Sequence, residues 1–259
     1  MLAGADEESG TRLGKFSIGL EESYIFERKM DLSSAVVLPA GLTGSMELKD
    51  LGRTMLRVGY QPFKNLNIYT KLGATNDDGG FEMNVDGPIA YSGYPAPPIG
   101  TETFAAKVKY EADSDFVWAL GFKLLFPLQN RWIIGADAQY LTHENDYSGK
   151  QTVRFYDDAG VLMPAYSEDI SIADAGTVTI SEWHVAPFIA KDFRWVVPYV
   201  GFKYSELEIN REGEDSVDAR ENIGIFAGAN FKFTDRFYLN LEGRFLDETA
   251  ATLAAMFNF

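Results

Sequence analysis

The chain closes on Leu253-Ala254-Ala255-Met256-Phe257-Asn258-Phe259, and that ending constrains the fold more than any other stretch. At the two-residue period of a strand, Leu253, Ala255, Phe257 and Phe259 share one face, and Ala254, Met256 and Asn258 share the other. Chain ends fray, so a large terminal ring stays exposed unless something covers it. The pattern also fills the preceding strands. Ile223, Ile225, Ala227, Ala229, Phe231 and Phe233 alternate with Gly224, Phe226, Gly228, Asn230 and Lys232. After the turn Thr234-Asp235-Arg236, Phe237, Leu239, Leu241, Gly243 and Phe245 alternate with Tyr238, Asn240, Glu242 and Arg244. One face is apolar; the other mixes glycine, amide and charge.

These residues carry a resemblance. The ending resembles the C-terminal signature of Gram-negative outer-membrane β-barrels, whose final Phe closes the last strand. The resemblance implies an all-β fold, a transmembrane antiparallel up-and-down β-barrel with short periplasmic turns and long extracellular loops, and the strand pattern along the chain sets the count at about ten (range about 8–12). It implies a bacterial outer-membrane location among lipid and lipopolysaccharide. It also implies insertion by the barrel-assembly machinery through the last strand, with Leu253, Ala255, Phe257 and Phe259 as the assembly signal. Alternation alone fits a soluble sandwich equally well, because there the apolar face meets a second sheet. Strand length, loop asymmetry and aromatic placement separate the two.

Composition enters at this point. Aromatic residues make up 14% of the chain, with 19 Phe and 13 Tyr, which suits interfacial girdles. No apolar run reaches the roughly 18 residues of a membrane helix, whereas a barrel strand needs only about 9–11 with half of them polar. Cysteine is absent, which removes thiol catalysis and disulfides. A net charge of −15 argues against nucleic acid, since phosphate binding needs clustered Lys and Arg. Met1-Leu2-Ala3-Gly4 runs into Asp6, Glu7 and Glu8 with no apolar leader, so the expectation is a mature form.

Residues 1–14 are expected to be a periplasmic tail, and residues 15–259 a single barrel domain. Long loops are expected near 29–45, 76–103, 146–176 and 211–218. Phe16, Ile18 and Leu20 begin the first strand, and Glu21-Glu22 is expected to mark a bulge. Thr54, Leu56, Val58 and Tyr60, and then Leu66, Ile68, Thr70, Leu72 and Ala74, supply the next apolar faces. Phe104, Ala106, Val108, Tyr110 and Ala112 keep phase across Asp113-Ser114-Asp115 with Phe116, Trp118, Leu120, Phe122, Leu124 and Phe126. That reads as one long strand rising past the apolar band, with a turn at Asp113 to Asp115 as the alternative. Trp132, Ile134, Ala136, Ala138 and Tyr140 form its partner's outer face. Trp183, Val185, Pro187 and Ile189, then Val196, Pro198, Val200, Phe202 and Tyr204, form the outer faces of the next two strands. The connections near Phe63, Leu128, Phe193 and Asp235 are short, and longer, often acidic ones alternate with them. Rings gather beside the short turns: Phe63, Phe126, Trp132, Phe193, Trp195, Phe233, Phe237 and Phe259 are read as the lower girdle.

On this register Arg57, Lys71, Lys107, Lys109, Lys123, Lys203, Lys232 and Arg244 face the lumen, with Asp137, Glu182, Glu242 and His184. A barrel this small has little room once such side chains fill it. The favoured expectation is a structural or surface-binding barrel with a largely filled lumen, its Tyr-, Gly- and Pro-rich loops suited to an extracellular partner. The alternative is a small porin, preferring anions because of the basic excess. A hydrolase of omptin or lipid-modifying type is the second alternative. Omptins couple His with Asp, and neither His143 nor His184 has an acid at that spacing. The lipid-modifying families need His and Ser on one strand face, whereas His143 has Leu141 and Asn145 as same-face neighbours and His184 has Glu182 and Ala186. His184 beside Glu182 reads as a lumen hydrogen-bond pair. No catalytic residue, metal or cofactor is therefore assigned.

Overall fold

The computed structural model describes residues 15–31, 42–76, 79–89, 102–156, 161–163, 168–211, 217–220 and 222–259. The expected tail at 1–14 lies outside them, as do Asp77, Asp78 and the tip segments 90–101 and 157–160. Thirteen strand segments are described. They are β1 (Lys15–Met30), β2 (Thr43–Phe63), β3 (Leu66–Thr75), β4 (Gly80–Ile89), β5 (Glu102–Ala112), β6 (Phe116–Pro127) and β7 (Trp132–Tyr156). Then follow β8 (Glu168–Lys191), β9 (Val196–Arg211), β10 (Val217–Asp218), β11 (Ile223–Lys232), β12 (Phe237–Phe245) and β13 (Glu248–Asn258).

All pairing is antiparallel, and the ladder closes on itself. It runs β1–β2–β3–β6–β7–β8–β9–β11–β12–β13 and returns from β13 to β1, a ring of ten. Closure leaves no sheet edge, which is what a strand structure in hydrocarbon requires. The short connections at Lys64–Asn65, Gln129–Arg131, Asp192–Trp195 and Phe233–Arg236 all lie at one end.

Nearer the other end the ladder changes partners. β2 pairs with β3 up to Arg53↔Thr75, then with β4 from Lys49↔Gly80. β7 pairs with β6 up to Val117↔His143, then with β5 from Ala112↔Tyr147. β9 pairs with β11 up to Ile223↔Tyr204, then with β10 from Asp218↔Glu208. At each switch four sequence positions separate the flanking pairs on one side (Thr75 to Gly80, Ala112 to Val117, Asp218 to Ile223) against three on the partner strand, the one-residue excess of a bulge. The β12–β13 hairpin turns early, at Leu246–Asp247, and β1 crosses above it to β10. There Met30 bridges Ala219, Asp31 N–H donates to the Asp218 carbonyl at 2.8 Å, and Arg220 N–H donates to the Lys29 carbonyl at 3.1 Å. The ring of ten thus gives way to a ring of eight: β1, β2, β4, β5, β7, β8, β9 and β10.

The two rings are inside out relative to each other. Around the lower ring the exposed outer face is Phe16, Ile18, Leu20, Leu56, Leu120, Phe122, Ile134, Val185, Ile189, Val200, Phe202, Leu241 and Leu253. All eight aromatics read as the lower girdle, Phe237 partly covered by its neighbours, lie on this outer face beside the short turns. A second belt caps the band: Trp118 against Tyr140, Trp183 against Tyr204 and Tyr24 against Phe26, with ring centroids 5.8, 5.4 and 4.8 Å apart. From Val196 to Tyr204 the strand runs about 26 Å along its own direction, about 20 Å of height after a tilt of about 40°, which with the flanking rings spans a lipid-facing band. Inside the upper ring, by contrast, Ile25, Leu48, Leu51, Phe81, Tyr147, Ile180, Leu207 and Ile209 form one buried cluster. The protein is therefore a transmembrane β-barrel of outer-membrane architecture, carrying a water-soluble kind of barrel on top.

Three expectations need correction. The run from Phe104 to Phe126 is not one strand in one phase. The bulge at 113–116 turns Ala106, Val108 and Ala112 inward, while Phe116, Trp118 and Leu120 face out. Glu21 and Glu22 sit in regular register, and the irregularity in β1 comes at Phe26, between Ile25 and Glu27. Two of the stretches expected as loops contain long strand: in 146–176 β7 runs on to Tyr156 and β8 starts at Glu168, and β4 lies within 76–103. Polar, Gly-rich sequence there belongs to strands whose outer face meets water and whose inner face alone needs apolar residues.

Candidate functional site

Inward-facing positions of the lower ring build the lumen in two levels. The upper level lies directly under the apolar cluster. Arg28 of β1 holds Glu182 of β8 at 3.0 Å and Glu248 of β13 at 3.5 Å, and donates to Ser205 Oγ at 3.0 Å. Lys203 of β9 holds Glu248 at 2.6 Å, Asp247 at 2.8 Å and Glu182 at 3.6 Å. Arg244 of β12 reaches Glu248 at 2.9 Å, and Arg53 of β2 stands 3.9 Å from Glu182 and 3.4 Å from His143 Nε2. His143 Nδ1 in turn meets the Asn145 amide oxygen. Asp247 and Glu248 enter this layer because the hairpin tip folds inward, with Leu246 in the left-handed region at φ 82°. The absent side chain of Gly224 makes room, since a Cβ there would collide with the Asp247 carboxylate. So dense a set of buried charges is tolerable only because each has opposite charge beside it.

The lower level surrounds a cavity of about 130 Å³. Glu21 of β1 pairs with Lys71 of β3 at 2.6 Å, and Arg57 of β2 stands 3.8 Å from it. Asp137 of β7 accepts from Tyr69 Oη at 2.6 Å and from Lys123 at 3.1 Å, with His184 Nε2 3.7 Å away. The Arg57 guanidinium lies 3.8 Å above the Tyr69 ring. That ring is itself laid flat across Gly121, where a side chain would displace it. On the facing wall Tyr199 Oη donates to Glu242 at 2.8 Å and accepts from Asn240 at 2.7 Å.

Ten of the twelve residues assigned to the lumen face inward: Arg57, Lys71, Lys123, Asp137, Glu182, His184, Lys203, Lys232, Glu242 and Arg244. Lys232 stands apart from the cavity at the short-turn end, paired with Asp192 at 3.0 Å. Lys107 and Lys109 do not belong. The bulge below β5 puts them outside the upper ring, where they pair with Glu82 and Glu111, each at 3.0 Å. Lys109 beside Glu111 holds that carboxyl below its usual range. Burial works against Glu82, yet hydrogen bonds from Lys107 and Asn84 and the charge of Lys49 hold its carboxyl low as well.

The sequence reading missed Glu21, Arg28, Arg53, Tyr69, Asp247 and Glu248. Part of the signal was present. Arg53 shares the phase of Arg57, and counting back by twos from Met256 and Ala254 reaches Glu248. Arg28 lies beyond the irregularity in β1, where phase no longer carries.

No protein-family model matches the chain, and no curated protein does. Among solved structures, the outer membrane protease OmpT of Escherichia coli is similar at a TM-score of 0.46 and 11% identity, covering 95% of this chain and 96% of that one. An outer membrane channel from Pseudomonas putida F1 gives 0.42 and 10% identity over 100% of both chains. The beta domain of the Bordetella autotransporter BrkA gives 0.37 and 11%, covering 96% and 99%. A protease, a channel and an autotransporter domain have no role in common, and likenesses at this level carry none to the chain.

Proposed function

We propose that the chain is an integral barrel of the bacterial outer membrane with a structural or surface-binding role, closed to ion flow. One observation carries this reading: an apolar cluster fills the upper ring directly above a dense layer of buried ion pairs, so the two together leave no continuous wet path. Hydrophobic constrictions resist wetting, and paired charges cannot solvate a passing ion without losing their own partners. The fourteen residues from Glu168 to Ser181 add about 45 Å of strand beyond the band, a rigid stalk that holds its loops clear of the lipopolysaccharide. Loops on such a scaffold suit recognition of an extracellular partner. A hydrolase finds little support, because His143 is bound to Asn145 and Arg53, and His184 faces Asp137, with no hydroxyl nucleophile among the described residues bonded to either.

Planar-bilayer recording tests the reading. The purified barrel should insert without stepwise conductance. Steady unitary currents that change with Lys123→Glu would replace it with the porin reading.

A further inference from the structure

We infer that the lower lumen holds a binding site for a small oxyanion, centred on Arg57. Each carboxylate within reach of this guanidinium is already engaged. Glu21 is taken by Lys71 at 2.6 Å, and Asp137 by Tyr69 Oη at 2.6 Å and Lys123 at 3.1 Å. Among the described residues Arg57 donates no hydrogen bond; the Glu21 oxygen that it approaches is 3.8 Å away. Its position is nonetheless fixed, because it stacks on Tyr69 at 3.8 Å and Tyr69 is pinned by Gly121 and Asp137.

A planar fork that is held in place, largely withdrawn from water and short of acceptors is what bidentate recognition of a carboxylate or phosphate uses. These donors open onto the cavity, so the space in front of them is a place for an acceptor. Around this end of the cavity Arg57, Lys71 and Lys123 face Glu21 and Asp137, an excess of one positive charge. His184, 3.7 Å from Asp137, adds a donor. The cavity, about 130 Å³, has room for inorganic phosphate or acetate. The site does not depend on whether the barrel conducts.

Calorimetric titration of the whole barrel in non-ionic detergent, with phosphate and separately acetate as probes, tests the site. Saturable binding of one probe is expected. It should weaken about ten-fold or more in Arg57→Gln and stay unchanged in Lys109→Gln, whose cation lies outside the barrel. A preference for one probe over the other distinguishes a phosphate source from a carboxylate source. Heat-modifiable gel mobility reports whether each variant has assembled. If Arg57→Gln does not assemble, Arg57→Lys keeps the charge and loses the fork, and binding should still weaken. No saturable heat with either probe, or equal binding by the wild type and the assembled Arg57 variant, overturns the inference.

Discussion

The lower and upper halves of this barrel are built from the same strands and obey opposite rules. On β7, Trp132, Ile134 and Tyr140 point out of the lower half, while Asp137 and Gln139 point in. Higher on the same strand Leu141 and Tyr147 point in, and Glu144, Asp146 and Ser148 point out. β9 does likewise: Phe202 and Tyr204 face out below, Leu207 and Ile209 face in above. The solvent explains it. Below the switch the outside is hydrocarbon, so polar groups survive only in the lumen. Above it the outside is water, so apolar groups drive the inside. Two devices achieve the reversal. β7 and β9 keep backbone phase while their apolar residues change parity. The joined strands β5 and β6 keep apolar parity while a bulge shifts the backbone.

Several substitutions would break or sharpen that contrast, here from the largest expected effect to the smallest. Lys203→Ala strands Asp247, Glu248 and Glu182 in the charge layer. It should cost about 3–5 kcal/mol in equilibrium urea unfolding in lipid vesicles, read by tryptophan fluorescence, and a loss under 1 kcal/mol would mean that the layer is wet. Leu207→Ala in the upper cluster should cost about 2–5 kcal/mol in the same assay, as in a soluble core. Leu120→Arg on the lower outer face should cost about 2–4 kcal/mol, whereas Ser148→Arg on the upper outer face should stay within about 0.5 kcal/mol. Equal costs at these two outward positions would erase the boundary drawn at the Trp118–Tyr140 belt. Gly224→Ala should push Asp247 off Lys203 and cost about 1–3 kcal/mol, detectable as a lowered unfolding midpoint. Lys107→Gln should leave stability within about 0.5 kcal/mol, because Lys107 is exposed and Glu82 keeps Lys49 and Asn84 as partners.

Much of the lower half was legible in the sequence. The outer faces of β2, β3, β7, β8, β9 and β11 to β13 follow from counting by twos, as do the girdle and ten of the lumen residues. The upper half was less legible for a specific reason. Alternation reports which residues are apolar, and an inserted residue leaves no mark when the apolar pattern carries on across it. Thus Phe104 to Phe126 looked continuous, and Lys107 and Lys109 were placed in the lumen. The Asp247–Glu248 tip was hidden differently. Acidic residues at a turn normally stay in water, and only the seam of β1 and β10 above the hairpin turns this pair inward.

The chain by itself determined that its strands would be two-faced, that short turns would alternate with longer connections, and that one face would end in an aromatic row. These are local properties, set by a repeat of two along each strand. Tertiary structure alone decided where the faces exchange roles, which cations met a carboxylate at hydrogen-bond distance, and that Arg57 stops 3.8 Å from Glu21. Those outcomes depend on which residues meet across a closed ring, and closure brings together strands as distant as β1, β8 and β13 that no local pattern links.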